Sequence, residues 1–256
     1  MFNYICTEFK NALRRKYTYV YVIGILALCV IANAAVVGFR MIYGTNEGTY
    51  AYNLMVYATW CFVIPYYSCI FIADMIFGKT YPNPMIKDKD TNGLSRTQLY
   101  FSKMIAAIML AMVFVVVAFV FLLGTTALFQ IRDGMVSGYE ITDFLGKMFL
   151  AVPLWIAGIS MGNMFLFMCD KKKNAFIGFY IVTLLIPRVI MFFAAEPFKW
   201  AAFRFLRKFT ITQNFSLIPY PADPARSVPL TIAMGIIVTV VSSIIGCVYF
   251  NRKSFK

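Results

Sequence analysis

Histidine is absent from the 256 residues. With it go His-based catalytic triads, His-liganded zinc, haem ligation through His and the His-bearing membrane proteases. Charge is scarce as well: 14% of residues are Asp, Glu, Lys or Arg, where soluble domains carry about a quarter. The 11 carboxylates fall mostly in polar segments or at the borders of apolar runs, so no buried acid pair for general acid–base work is visible. Of the 6 cysteines, Cys29, Cys61, Cys69, Cys169 and Cys247 lie in or at the edges of apolar runs and Cys6 lies near the amino terminus. That distribution gives no disulfide framework and no set with metal-ligand spacing. Catalysis by this chain is not expected, and neither a metal nor a cofactor is called for.

What the chain has is hydrophobic length. Hydrophobic residues make up 61% of it, and its mean hydropathy is +0.73. Apolar runs at 17–39, 50–77, 104–129, 148–169, 175–195 and 230–250 each reach the ~20 residues a helix needs to cross a bilayer. The fold class is therefore an all-α polytopic membrane protein with six transmembrane helices. An even number of crossings puts both termini on one side. The segments on that side hold the larger share of Lys and Arg, including Arg14, Arg15, Lys16, Lys171, Lys172 and Lys173, which makes both termini cytoplasmic. The net charge of +13 is then mostly inner-leaflet positive charge drawn to anionic lipids, and nucleic-acid binding is disfavoured. No repeat or low-complexity linker divides the chain, so 1–256 is one membrane domain.

Two targeting signals are imitated near the amino terminus. Arg14-Arg15-Lys16, an apolar run and Ala32-Asn33-Ala34 resemble a cleavable signal, but the run continues to Phe39 and is long enough to span uncleaved. A twin-arginine signal at Arg14-Arg15 is weaker, because inner-side charge already accounts for those residues. Ahead of the first span, Phe2, Ile5, Phe9, Ala12 and Leu13 recur at helical spacing, so 1–16 reads as an amphipathic elbow helix in the membrane interface.

Further along, Gly44 and Gly48 mark a short outer turn, and Pro65, Pro153 and Pro187 predict kinks within spans. The outer segment 196–229 is too long for a bare connection. In it Phe198, Ala202, Phe205, Leu206 and Phe209 share one helical face, with Arg204, Arg207 and Lys208 on another, the pattern of an interfacial or re-entrant helix. Pro219, Pro221, Pro224 and Pro229 then preclude a continuing helix before Leu230.

"ADMIFGKT", Ala73 to Thr80, fits the loose phosphate-loop spacing. That loop needs small residues and a helix starting at its Lys-Thr. Here the interior is Asp-Met-Ile-Phe, and Pro82 and Pro84 follow, so the stretch reads as a span ending at a basic border. Asp74 beside it reads as a border charge or a partner for an inner lysine. Arg188 follows Pro187 inside the fifth span, where an isolated charge costs a few kcal/mol or more. Three readings stand: Arg188 faces a substrate pathway together with Pro187 and Pro65, it pairs across the bundle, or its stem snorkels to the outer headgroups.

The polar segment 78–103 is the longest on the inner side. Thr91-Asn92-Gly93 reads as a turn, Ser95 as a helix N-cap, and Arg96 to Lys103 as a helical lead into the third span with Leu99 on a packing face. The run Gly93-Leu94-Ser95-Arg96-Thr97-Gln98-Leu99-Tyr100-Phe101-Ser102-Lys103 resembles the Gly-x-Ser-Arg-x-x-x-Tyr-x-Ser-Lys segment between the second and third spans of type-2 ATP-binding-cassette (ABC-2) permeases. The layout is similar throughout: an elbow helix, six spans, an outer segment with helical pieces before the last span and the basic tail "NRKSFK". Just upstream the chain departs from the family's Gly-Thr-x-Lys-Asn type helix, carrying "KTYPNPMIKDKD" instead.

The resemblance implies a bacterial exporter's permease subunit in the plasma membrane. It implies pairing with a second permease chain, identical or homologous, and drive from two copies of a separate ATPase subunit that binds ATP and Mg. By the same resemblance Ser95, Arg96, Leu99, Tyr100 and Lys103 are coupling or border positions. The expected cargo is amphipathic, a peptide antibiotic or drug, with resistance to antibiotic peptides as one use. The alternatives are export of a lipid-linked glycan, or a non-transporting membrane sensor or assembly factor.

Overall fold

The computed structural model describes residues 1–43, 50–78, 93–129, 138–196, 198–220 and 224–252, and every regular element among them is helical. The turn at Gly44 and Gly48, the stretch 79–92 with Pro82, Pro84, Thr91 and Asn92, and the tail from Lys253 lie outside the described residues.

Long apolar runs suit helices, which pair every backbone group within one segment where hydrocarbon offers no other partner. The elbow helix α1 (Phe2–Leu13) leads into α2 (Lys16–Tyr43). Next come α3 (Tyr50–Trp60) and α4 (Val63–Phe77), then the long α5 (Arg96–Phe129) and α6 (Gly138–Met168). The fifth run is composite: α7 (Lys172–Tyr180), a π turn (Ile181–Leu185) and α8 (Ile186–Ala194). Two short helices, α9 (Ala201–Arg207) and α10 (Ile211–Leu217), precede the final α11 (Pro224–Arg252). Five runs are long and apolar enough to cross a bilayer, and α3 with α4 makes 6 if that pair is counted as one span. The protein is an all-α, multi-pass membrane protein.

Prolines explain the two irregular spans. The α3–α4 pair is bent by 51° four residues before Pro65, whose ring would collide with the Cys61 carbonyl and which has no N–H to give it. The Phe62 carbonyl beside the break is buried and is taken by the indole Nε1–H of Trp155 from α6 at 2.9 Å. In the fifth span, Pro187 would meet the Thr183 carbonyl in the same way, and the turn before it is widened into the π form. Thr183 turns its hydroxyl back onto the Phe179 carbonyl at 2.8 Å.

Two boundaries differ from the sequence expectation. The helix of the fourth span starts at Gly138, well before 148, because polar residues extend it beyond the apolar run, with Lys147 paired to Asp143 at 2.7 Å one turn away. The last helix starts at Pro224 and carries Pro229 inside it, so prolines do not hold it off until Leu230. Pro224 occupies the first helical position, where its missing N–H would have had no partner. Pro229, little more than a turn in, forfeits a single bond.

α6 is the centre of the bundle. Its apolar window is 67% buried, against 6% for α2, which runs along the outside. Close approach needs small residues. A Cβ at Gly162 of α6 would stand 3.2 Å from the Ile70 Cα of α4, so the two helices meet backbone to backbone there. Against α11, α6 places Ser160 within 2.7 Å of the Ser242 hydroxyl and 2.9 Å of the Ser243 hydroxyl. Farther out, Asn33 of α2 donates to Thr125 of α5 at 3.1 Å, and the Tyr21 and Ser68 hydroxyls meet at 2.6 Å between α2 and α4.

Candidate functional site

The polar segment that stood out in the sequence begins α5, and its start is built by local chemistry. Gly93 takes φ +95°. Ser95 and Gln98 then form a reciprocal capping box. The Gln98 N–H donates to Ser95 Oγ at 3.2 Å and the Ser95 N–H to Gln98 Oε1 at 3.0 Å, so two of the helix's unpaired donors are satisfied. Ser95 and Gln98 are exposed, and Arg96 is half-buried.

Arg96 turns toward α11. Its Nη1 donates to the Asn251 carbonyl at 2.9 Å and reaches the Phe250 carbonyl at 3.5 Å. Those carbonyls end a helix, where a cation meets the negative pole of the helix dipole. Asn251 returns the contact through its amide, which donates to the Thr97 hydroxyl at 3.1 Å. The first turn of α5 and the last of α11 are thereby clasped.

One turn deeper the residues are inside the protein. Leu99 and Tyr100 are buried. The Tyr100 ring packs 4.9 Å from that of Phe167 on α6, and Phe167 in turn lies 4.4 Å from Phe250 of α11 and 4.8 Å from Phe77 of α4. The tyrosine hydroxyl presses on Gly246 of α11, where any Cβ would stand 2.5 Å from it.

Lys103 is the unusual member, with 0% of its surface exposed. Its ammonium lies 2.8 Å from Glu8 Oε1 of the elbow helix, and the Tyr4 hydroxyl donates to the same oxygen at 2.7 Å. The Phe77 ring, 5.3 Å from the Lys103 nitrogen, adds a cation–π contact. A buried charge is tolerated only when paired and hydrogen-bonded, and this pair spans two elements far apart in sequence.

The same end carries further ties. Arg15, at the junction of α1 and α2, donates from Nη1 to the Met75 carbonyl near the end of α4 at 2.5 Å. Gly78 follows with φ +52°, and a side chain there would run into the Arg15 guanidinium. Asp74 is paired with Lys172 at the start of α7, 2.6 Å away. The apparent phosphate loop is thus the last turns of α4, with Lys79 and Thr80 outside the described residues. Among the described residues no group of three or more His, Cys, Asp or Glu could hold a metal ion.

Every helix at this end is therefore fastened to the start of α5 or to its neighbours. From the start of α5, Arg96 is bonded to α11, Tyr100 packs on α6 and Lys103 is paired with the elbow helix. Sequence reasoning picked out the α5 side and missed its partners Glu8, Tyr4, Phe77, Phe167 and Phe250. Glu8 did leave a signal, since it falls on the apolar stripe of α1 between Ile5 and Ala12.

The other sequence candidates are dispersed. Pro187 is buried, Arg188 is exposed on α8, and Pro65 is half-buried on α4. Arg188 comes within electrostatic reach of Tyr67, one turn-half beyond Pro65, and the Tyr180 hydroxyl donates to the Tyr67 carbonyl at 3.2 Å. An open groove of about 340 Å³ is lined by Phe176, Ile177, Tyr180, Ile181, Leu184 and Leu185, with none of the three candidates in it.

The family model described as "ABC-2 family transporter protein" matches residues 4–194, from the elbow helix to the end of α8. No curated protein matches the chain.

Proposed function

The chain belongs to the ABC-2 transporter family, and from that premise we propose that it is the permease of an ATP-driven exporter, worked by ATPase subunits that dock on the exposed turn opening α5. As a family member it is a membrane component of an ABC transporter. The proposal adds direction, contact and cargo. Two copies of the ATPase bind ATP and Mg on the cytoplasmic side of the plasma membrane, and two permease chains, identical or homologous, form the path.

The observation that carries the reading is the buried Lys103–Glu8 pair beneath an exposed capping box. A partner gripping Ser95, Gln98 and the neighbouring part of 78–103 would move α5 at its end, and the junction would carry that movement into α1, α6 and α11. ATP then acts by stabilising one arrangement of the helices over another. The cargo proposed is amphipathic, a peptide antibiotic or a drug, in keeping with apolar, aromatic-rich spans.

Co-purification tests this. In gentle detergent the chain should bring with it an ATPase whose hydrolysis rises on assembly. An Arg96→Gln variant, freed from the end of α11, should keep the partner bound and its hydrolysis running while cargo export falls roughly tenfold, the effect of losing a charge-assisted bond of ~1.5 kcal/mol. A chain that purifies with no ATPase under these conditions would instead be a non-transporting sensor or assembly factor.

A further inference from the structure

The opposite end of the bundle holds a second organised surface. After α8 the chain reverses through Lys199, whose φ of +45° is the only positive value on a non-glycine among the described residues. A left-handed backbone at a residue with a side chain costs ~1–2 kcal/mol, so the reversal must be held. The Lys199 N–H donates to the Ala195 carbonyl at 2.9 Å, and the Trp200 N–H to the Phe193 carbonyl at 3.2 Å. The Trp200 ring stacks on Phe193, with centroids 4.9 Å apart and planes 11° from parallel. α9 is thereby folded back along α8, at the border of the fifth span, where a straight continuation would leave it in water.

These rings are no core. Trp200 is 50% exposed and Phe205 60%, and aromatic rings at the end of a span belong at headgroup depth. Around α9, Phe205 and Phe209 pack on each other, 5.0 Å between centroids, on one face. Arg204 and Lys208, four residues apart, share the next face, and both are exposed. The nearby carboxylate is already engaged, since Glu196 pairs with Lys199, and Arg207 gives its Nε–H to Gln213 at 2.7 Å. Arg204 and Lys208 have no carboxylate partner among the described residues. Two cations one turn apart repel each other, and beside them lies an apolar face.

We infer that α9 and its ring cluster bind an anionic phospholipid of the leaflet at that end. The lipid phosphate sits between Arg204 and Lys208, and the acyl chains lie along Trp200 and Phe205. A cationic amphiphile is repelled from this face, and a zwitterionic lipid brings its own cation to the phosphate, so net negative charge is what the site selects. The inference needs only that the chain spans a bilayer. It stands or falls independently of the exporter reading.

Trp200 supplies a local probe. The full chain is reconstituted in vesicles of equal parts phosphatidylcholine and phosphatidylglycerol, with acyl-chain bromine carried by one lipid at a time. Quenching of Trp200 is read as wild type minus Trp200→Phe. It should be stronger when phosphatidylglycerol carries the label. An Arg204→Gln, Lys208→Gln variant should lose that preference, about tenfold in apparent affinity at roughly fivefold per cation with some mutual screening, and an Arg204→Lys, Lys208→Arg exchange should keep it. Equal quenching by the two lipids in the wild type, a preference that survives the double Gln variant, or a Trp200 quenched by neither lipid would each overturn the inference.

Discussion

Lys103 shows how much one side chain can fix. Its ammonium has left water entirely, and Glu8 with the Tyr4 hydroxyl is what makes that position tenable. Removing one member of such a pair strands the other's charge, whereas replacing both with apolar groups can be close to neutral. Lys103→Met should therefore cost ~3–5 kcal/mol, and Glu8→Leu a similar amount. The Glu8→Leu, Lys103→Met double variant should recover most of it. Thermal unfolding of the purified chain in detergent checks this cycle, and additive losses would mean that the two charges do not depend on each other. Glu8 was legible in the sequence as an acid on an apolar stripe, but its partner was not. The pairing joins residues 8 and 103, and nothing in local periodicity says which lysine an elbow helix will meet. Arg15 was hidden for the same reason: it read as an inner-side charge, yet it serves a carbonyl near the end of α4. Arg96 was singled out as a coupling or border position, but the carbonyls at the end of α11 that it serves were not.

Among the elements, the spans were the most readable part, since an apolar run of sufficient length has few alternatives in lipid. The breaks were readable as far as proline predicts them. Pro65 announced a kink, but the local sequence holds no sign that an indole from α6 closes it. Trp155→Phe keeps an aromatic ring, though a smaller one, and removes the donor to the Phe62 carbonyl. The loss should be ~1–3 kcal/mol, the cost of a buried acceptor left without its partner. Denaturant or heat titration of the variant in detergent, compared with Trp60→Phe on the exposed side of the same break, would show it; equal stabilities would mean that the break does not rely on the indole. The start of α11 was misread because proline was treated as a breaker wherever it occurs, while its effect depends on how far into the helix it falls. The outer segment was read as a single amphipathic helix. It is two short ones with a strained reversal ahead of them, and only tertiary stacking of Trp200 on Phe193 explains that reversal.

At the level of the whole molecule, the bundle divides its labour between two ends. One end gathers helix termini into a polar and aromatic junction whose outermost residues, Ser95 and Gln98, are exposed. The other carries α9, whose aromatic and cationic side chains are largely exposed. Composition made the absence of catalysis an expectation of the sequence, and the apolar runs made the membrane evident. The layout at the junction depends on which helix ends meet, and that is a property of packing. On the proposed function, work done by a separate ATPase enters through the first turn of α5. A photo-reactive amino acid at Gln98 tests it most directly, in the assembled complex with its ATPase present. The expected result is a covalent adduct between Gln98 and the ATPase whose yield changes when ATP is replaced by ADP. An assembled complex that hydrolyses ATP but gives no adduct from Gln98 in either nucleotide state would contradict it.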